Sequence, residues 1–200
     1  MKRSFTMFPE RVHKWSDTGV TMALKPSSEI ITISGKYENA TGGFTSEAFD
    51  LQLNPLDMEV FVVQAVNVDY VGNPPTVLAF TGGAIVLKPV AFSTSRPLAQ
   101  LDLSSSNVFA AAKQTAVLFF DGAAPPNCQT YTLFEDKPSE TPDSNLDHIA
   151  IIATSNFFIG GTDAANNLGD TAISFKIWGY RARADAATYA ALVQSEVLSA

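Results

Sequence analysis

Eleven prolines divide the chain into short apolar runs, and this spacing limits the possible folds more than any other sequence feature. Proline removes a backbone donor and breaks helix interiors, so long helices are not expected before Pro142. The runs between the prolines are typical of β-strands. Ile30–Ser34 is β-branched, and Phe49, Leu51 and Leu53 alternate onto one face. The sequence therefore predicts an all-β fold over most of its length.

The longest strand signal, Met58–Val71, is apolar on both faces and is expected to bend or to pair with two neighbours in turn. Ala110–Gln114 is also compatible with a short helix. Loops are expected at Gly72–Pro75, Pro89–Gln100, Asp121–Cys128, Asp136–Asp147 and Gly160–Asp170. Further strands are expected at Val20–Leu24, Val77–Phe80, Ala84–Leu87, Val108–Phe120, Gln129–Phe134, Ile149–Ser155 and Thr171–Tyr180.

The count of about eight to ten antiparallel strands favours a jelly-roll β-sandwich that ends in a C-terminal α-helix. An immunoglobulin-like sandwich is the competing arrangement, but it fits the long loops less well. We expect one domain, with a basic N-terminal arm and first strand at 1–25, the sandwich at 26–183 and the helical segment at 184–200.

The last segment, Asp185–Leu198, contains neither glycine nor proline and predicts a helix of about 13 residues. Asp185 is a suitable N-cap, because its carboxylate accepts from the free amides of the first turn. Tyr189, Leu192 and Val193 form one apolar stripe that continues to the position of Glu196 and Val197. This stripe is expected to bind the sheet or a neighbouring subunit.

Charge is distributed unevenly along a chain whose formal net charge is −7. Residues 1–25 carry five basic and two acidic side chains, whereas the rest carries eight basic and eighteen acidic ones. Such an arm is able to contact a polyanion, either nucleic acid or lipid head groups, although an ordinary solvated terminus is the simpler interpretation. The arm residues that would make this contact are Lys2, Arg3, Arg11 and Lys14.

Catalytic and metal-binding motifs are scarce. Two histidines and one cysteine offer no spacing typical of a nucleophile and base, and neither a Gly-x-Ser-x-Gly turn nor a phosphate-binding loop occurs. The carboxylate pairs Glu47/Asp50 and Asp57/Glu59 are candidates by proximity only, and Asp57 and Glu59 are better interpreted as caps of the exposed start of a strand. No enzyme, cofactor, metal or small-molecule substrate is predicted. Two weak metal candidates, interpreted as solvated turns, are Asp143 with Asp147 and His148, and Asp163 with Asn166, Asn167 and Asp170.

Aromatic residues are the stronger signal, because the chain contains 14 phenylalanines. Phe119–Phe120 and Phe157–Phe158 are adjacent pairs, and neighbours in a strand point to opposite faces. One ring of each pair should enter the core, and the other needs cover from a loop, the helix or another subunit. The predicted interface residues are Phe119, Phe120, Phe157, Phe158, Tyr189, Leu192 and Val193.

A short basic arm, about eight strands with long loops, a Phe- and Val-rich interior and a final helix make the layout resemble viral capsid proteins built on a single jelly roll. The closing segment Ile177–Leu192 also resembles the end of virion proteins. The resemblance implies self-assembly into a shell around a genome, sometimes over an internal membrane, without catalytic residues.

The functional prediction is therefore a capsid subunit located in the virion. Its expected partners are copies of itself and other capsid subunits, with nucleic acid or an internal membrane as further candidates for the arm. One alternative is a lectin-like carbohydrate-binding β-sandwich, with Ca²⁺ on the Asp163–Asp170 loop. Another is a jelly-roll glycoside hydrolase, which would need two facing carboxylates in a cleft.

Overall fold

A computed structural model describes residues 24–39, 43–71, 84–120, 128–136, 139–140, 147–162 and 171–198. Their secondary structure is a two-sheet sandwich followed by one α-helix. The first sheet contains β1 (Leu24–Pro26), β2 (Ile31–Asn39), β4 (Glu59–Tyr70), β8 (Ser139–Glu140), β9 (Ala150–Ile152) and β11 (Thr171–Ala184). The second contains β3 (Phe44–Asp50), β5 (Ala84–Ser93), β6 (Val108–Phe120), β7 (Cys128–Asp136) and β10 (Asn156–Thr162). The helix is α1 (Ala186–Leu198).

The strand pairing is that of one long hairpin rolled into a sandwich. The antiparallel pairs β2·β11, β3·β10, β4·β9 and β5·β6 are the successive rungs of this hairpin. Two further antiparallel pairs, β4·β11 and β5·β10, close the roll into two sheets. This double wrapping defines a jelly roll and confirms the predicted fold class. β4 pairs with β11 along one edge and with β9 and then β8 along the other, as its length suggested.

Phenylalanine rings from both sheets fill the space between them. Phe157 stacks on Phe49 with ring centroids 5.3 Å apart, and Phe175 meets both rings edge-on, at 5.9 Å and 4.9 Å respectively. Phe92 also contacts Phe175 edge-on, at 5.6 Å. Such edge-to-face pairs add to the stabilisation that burial itself provides. The high phenylalanine content thus supplies the core of the sandwich.

The first residues of two expected loops, Pro89–Gln100 and Gly160–Asp170, prove to be strand. β5 continues through Pro89 to Ser93, and β10 includes both Gly160 and Gly161, which the sequence suggested were turn glycines. A Cβ at Gly160 would lie 2.9 Å from Phe44 and Pro97, and one at Gly161 would lie 3.1 Å from the Tyr37 ring. The glycines are therefore explained by close packing on both faces of the strand. β6 is a continuous strand, so Ala110–Gln114 is not helical.

The C-terminal helix forms as predicted and packs on the outer face of the first sheet. The Asp185 carboxylate accepts from the backbone N–H of Thr188 at 2.8 Å, and this bond holds the pKa of Asp185 below its usual value. Tyr189, Leu192 and Val193 lie against the buried cluster Val60, Val62, Ala153, Ala182 and Ala184. Of the two predicted partners, the helix therefore covers the chain's own sheet. None of the helices in the described ranges is long and apolar enough to span a membrane.

Candidate assembly surface

Two of the carboxylates considered for catalysis, Asp57 and Glu59, serve local structure. Glu59 accepts from the Asn54 backbone N–H at 3.1 Å and from the Ser27 hydroxyl at 3.3 Å. Asp57 accepts from the Asn54 side-chain amide at 2.7 Å and pairs with Arg183 at 3.7 Å. These contacts fix the turn before β4, as the cap interpretation predicted. Within the described ranges, no three His, Cys, Asp or Glu side chains come together as a metal site would require.

Several predicted site residues fall outside what the structure describes. The four arm cations predicted to contact a polyanion (Lys2, Arg3, Arg11 and Lys14) and the Asp163–Asp170 loop belong to this group. The backbones of Phe119 and Phe120 lie in β6, opposite Gln129 and Cys128 of β7. The contacts of these two rings are outside the described part of the chain.

The second phenylalanine pair divides between the two faces of β10. Phe157 is completely buried among the core rings, whereas Phe158 is half-buried on the opposite face. This arrangement corrects the inclusion of Phe157 among the interface residues, because a ring enclosed by its own sandwich is unavailable to a neighbour. Phe158 points outward, as the alternation of a strand requires.

The segment that joins β5 to β6 folds back over the outer face of the second sheet. The Gln100 side chain accepts from the Thr162 hydroxyl of β10 at 3.0 Å, and Pro97 is buried against Gly160. Asp102 stabilises a turn near the start of β6. Its carboxylate accepts from the backbone N–H of Ser104 at 2.8 Å and also from the Ser104 hydroxyl. These bonds from Ser104 hold the pKa of Asp102 below its usual value.

An apolar groove of about 360 Å³ lies between this segment and the sheet. Leu101, Leu103, Pro89 and Ala111 contribute to its lining, and the cation Lys113 and the anion Asp102 line it as well. Leu103 is 64% exposed, and Leu98 on the same segment is 90% exposed. We call this groove together with the exposed leucines Leu98 and Leu103 the β5–β6 surface. The sequence does not indicate this surface, because three leucines in an irregular segment give no periodic signal.

A buried carboxylate ties α1 to the sandwich. Glu196 is only 6% exposed and accepts from the backbone N–H groups of Ala153 and Thr154, at 2.8 Å and 3.0 Å. The Tyr189 hydroxyl donates to the Ala153 carbonyl at 3.4 Å. Burial raises the pKa of Glu196, although the hydrogen bonds to Ala153 and Thr154 oppose the rise. Its place on the apolar stripe was visible in the sequence, but its partners were not.

Replacing Glu196 with alanine is expected to lower the free energy of unfolding by about 1–3 kcal/mol, because two backbone N–H groups beneath the helix lose their acceptor. Urea denaturation followed by circular dichroism measures the change. Gln194→Ala, at an exposed position of the same helix, should stay within about 0.5 kcal/mol of the unsubstituted protein. Equal losses in the two variants would contradict the role given to the carboxylate.

The same carboxylate should make stability depend on pH. Because its folded-state pKa lies above the unfolded value, its contribution is complete below the unfolded value and is lost as pH rises through the folded pKa. The unsubstituted protein should therefore gain stability relative to Glu196→Gln as the pH falls from 7 to below 4.5, the ordinary value for glutamate. A difference between the two proteins that is flat over this range would contradict the prediction.

The outer face of the first sheet carries a polar trough beyond the end covered by α1. The trough has a volume of about 610 Å³ and is open to solvent. Lys36, which forms an ion pair with Glu38, lies at one side. Gly35 and Phe175 also line the trough, and its polar side chains are Ser34, Lys36, Asn67, Asp69, Ser174 and Lys176. They supply donors and acceptors to a ligand from three adjacent strands.

Comparison with known proteins finds similarity among solved structures. No protein-family model matches the chain, and no curated protein matches it. Among solved structures, the chain is similar to Merkel cell polyomavirus VP1, solved as an unassembled pentamer, at 10% sequence identity and a TM-score of 0.37. The match covers 80% of this chain and 98% of that one. The jelly-roll assignment therefore rests on the strand pairing described above.

Proposed function

We propose that the protein is a virion structural protein, a capsid subunit whose copies assemble into a shell around a viral genome. The observation that carries the proposal is the β5–β6 surface, an apolar groove on a jelly roll that the described residues leave open. Contiguous apolar surface of this kind marks sites of association. Jelly rolls with such surfaces serve as shell subunits, because symmetric repetition of one contact closes a particle.

The filled interior supports a structural role. Phe157, Ile159, Ile173 and Ile177 are fully buried between the sheets, so side chains occupy the space that a ligand-binding jelly roll would leave open. The carboxylates whose contacts are described act in turns and in helix docking. The geometry thus favours function through the exterior of the subunit, and no catalytic role is proposed.

The terminal segments complete the proposal. We assign 1–25 to a basic arm, 26–183 to the shell-forming sandwich and 184–200 to the helix that covers its outer face. The arm carries five cations against an acidic body, which suits contact with the genome or with the head groups of an internal membrane. Other capsid subunits are further partners in this assignment, and the assembled virion is the location.

The decisive experiment is electron microscopy and multi-angle light scattering of the purified full chain over a range of concentrations. We expect particles or discrete multimers, with interfaces that bury at least about 1,000 Å² per contact. A 21.4 kDa monomer at every concentration would overturn the proposal. Added nucleic acid should lower the concentration needed for assembly if the arm neutralises a polyanion.

One observation favours a second candidate, a lectin-like carbohydrate-binding module. The polar trough presents amide, hydroxyl and carboxylate groups on a rigid sheet, and these are the groups that bind sugar hydroxyls. A monomer that binds glycans in an array, and loses binding in Asn67→Ala, would support this candidate over the capsid subunit.

A further inference from the structure

We propose that two copies of the chain pair through their β5–β6 surfaces about a two-fold axis, each inserting Leu103 into the groove of the other. This inference rests on the proposed function and names the contact through which assembly begins. In such an isologous interface the same surface serves both partners, so one exposed group must fit a recess on the same face. Leu103 is the exposed group, and the groove beside it is the recess.

The dimensions and lining of the groove suit an apolar side chain. An apolar cavity of roughly 150 Å³ already admits benzene, and this groove measures about 360 Å³. Its floor is formed by Pro89 and Ala111 of paired strands, whose small side chains leave the recess open. A leucine from a second copy would find apolar partners on the strands and on Leu101.

The charges identify the occupant as a second copy. Lys113 and Asp102 line the same groove, so its fixed charge is balanced. A polyanion or a strongly basic segment would meet one repulsive charge, whereas a two-fold arrangement brings each cation opposite the anion of the partner. The bonds from Ser104 fix the Asp102 carboxylate before association, so little of its freedom is lost on pairing.

Sedimentation velocity over a concentration series tests the apolar part of the proposal. Leu103→Ser should weaken self-association about 100-fold or more, because each dimer loses the same central contact twice. Leu56→Ser is the matched control, since Leu56 is also a highly exposed leucine (91%) but belongs to the short turn Pro55–Asp57 and not to the β5–β6 surface. The control should leave the dissociation constant within about twofold. Thermal denaturation establishes that each variant is folded.

Charge substitutions test the geometry even if Leu103→Ser fails to fold. Lys113→Glu should weaken association about tenfold. Each of the two pairs formed by residue 113 of one copy and Asp102 of the other then changes from attraction to repulsion. The loss should largely disappear in an Asp102→Asn background, where the side-chain oxygen that accepts from Ser104 is retained. Asp136 lies opposite Lys113 in the β6·β7 ladder. A loss caused by that neighbour would be the same in both backgrounds and would overturn the proposed pairing.

The outcomes separate this inference from the proposed function. If the unsubstituted chain associates and neither Leu103→Ser nor Lys113→Glu changes the dissociation constant, the β5–β6 surface is the wrong contact and assembly proceeds elsewhere. If the unsubstituted chain remains a monomer at all concentrations, the proposed function fails together with the contact.

Discussion

Substitution of Phe157 with alanine is expected to lower the free energy of unfolding by about 3–5 kcal/mol, the usual cost of deleting a fully buried aromatic ring. The ring stacks on Phe49 and lies edge-on to Phe175 and Phe109, so its removal leaves a cavity lined by three other rings. Guanidinium denaturation at a concentration where the chain is monomeric measures the loss as a lower midpoint at constant m-value.

Phe158→Ala is the matched control, because the two residues are adjacent and identical in type but point to opposite faces of β10. Its expected cost is about 1 kcal/mol, since its ring is only half-buried. If Phe158→Ala proves the more costly of the two, Phe158 is the ring that points into the core and Phe157 the ring that points outward. Phe157 would then be a candidate interface residue again.

Two long strands, β4 and β6, and the helix were predictable because their signals are local. Val108–Phe120 was predicted with the bounds that β6 has, and Met58–Val71 exceeds β4 by one residue at each end. α1 begins immediately after the predicted cap, Asp185. In each case a run of residues with one period coincides with the packing that the fold imposes.

Elements fixed by distant contacts were not predictable. Gly160 and Gly161 indicate a turn when their neighbours in sequence alone are considered. In the structure Tyr37, more than 120 residues away, occupies the space of a side chain and donates to the Gly161 carbonyl. Glu196 had the position of an apolar residue, and only the turn at Ala153 explains a carboxylate there. At both sites, tertiary contacts and not local sequence preferences determine the structure.

The candidate assembly surface depends both on local sequence and on contacts between residues that are distant in sequence. Its leucines were visible in the sequence, but a groove exists because the segment lies over the sheet, where Gln100 binds Thr162 and Pro97 packs against Gly160. Leu98 in the expected loop, and Leu101 and Leu103 just after it, gave no reason to select them over the phenylalanine pairs. Burial then removed Phe157 from consideration and showed that Tyr189, Leu192 and Val193 lie against their own sheet. Exposed apolar area outside regular elements is therefore the feature that sequence patterns underestimate.

The pairing of β11 with β4 makes a second large effect predictable at Gly179. The register of this ladder shifts between Trp178 and Gly179, and the irregularity brings the two backbones together. A Cβ at Gly179 would overlap the Val62 carbonyl oxygen and lie 2.7 Å from the Phe61 ring. Because a backbone oxygen in the middle of a sheet is unable to rotate away, Gly179→Ala is expected to cost about 3 kcal/mol or more.

Gly43→Ala provides the comparison, because a Cβ at Gly43 would have nothing within 4 Å. This substitution should be neutral or should stabilise by up to about 1 kcal/mol, since alanine restricts the unfolded chain. Thermal and denaturant unfolding of both variants measures the contrast between a crowded and an open glycine. Equal stability of the two variants would mean that β11 and β4 do not approach each other at this irregularity, and the alignment of the two central strands of the first sheet would have to be redrawn.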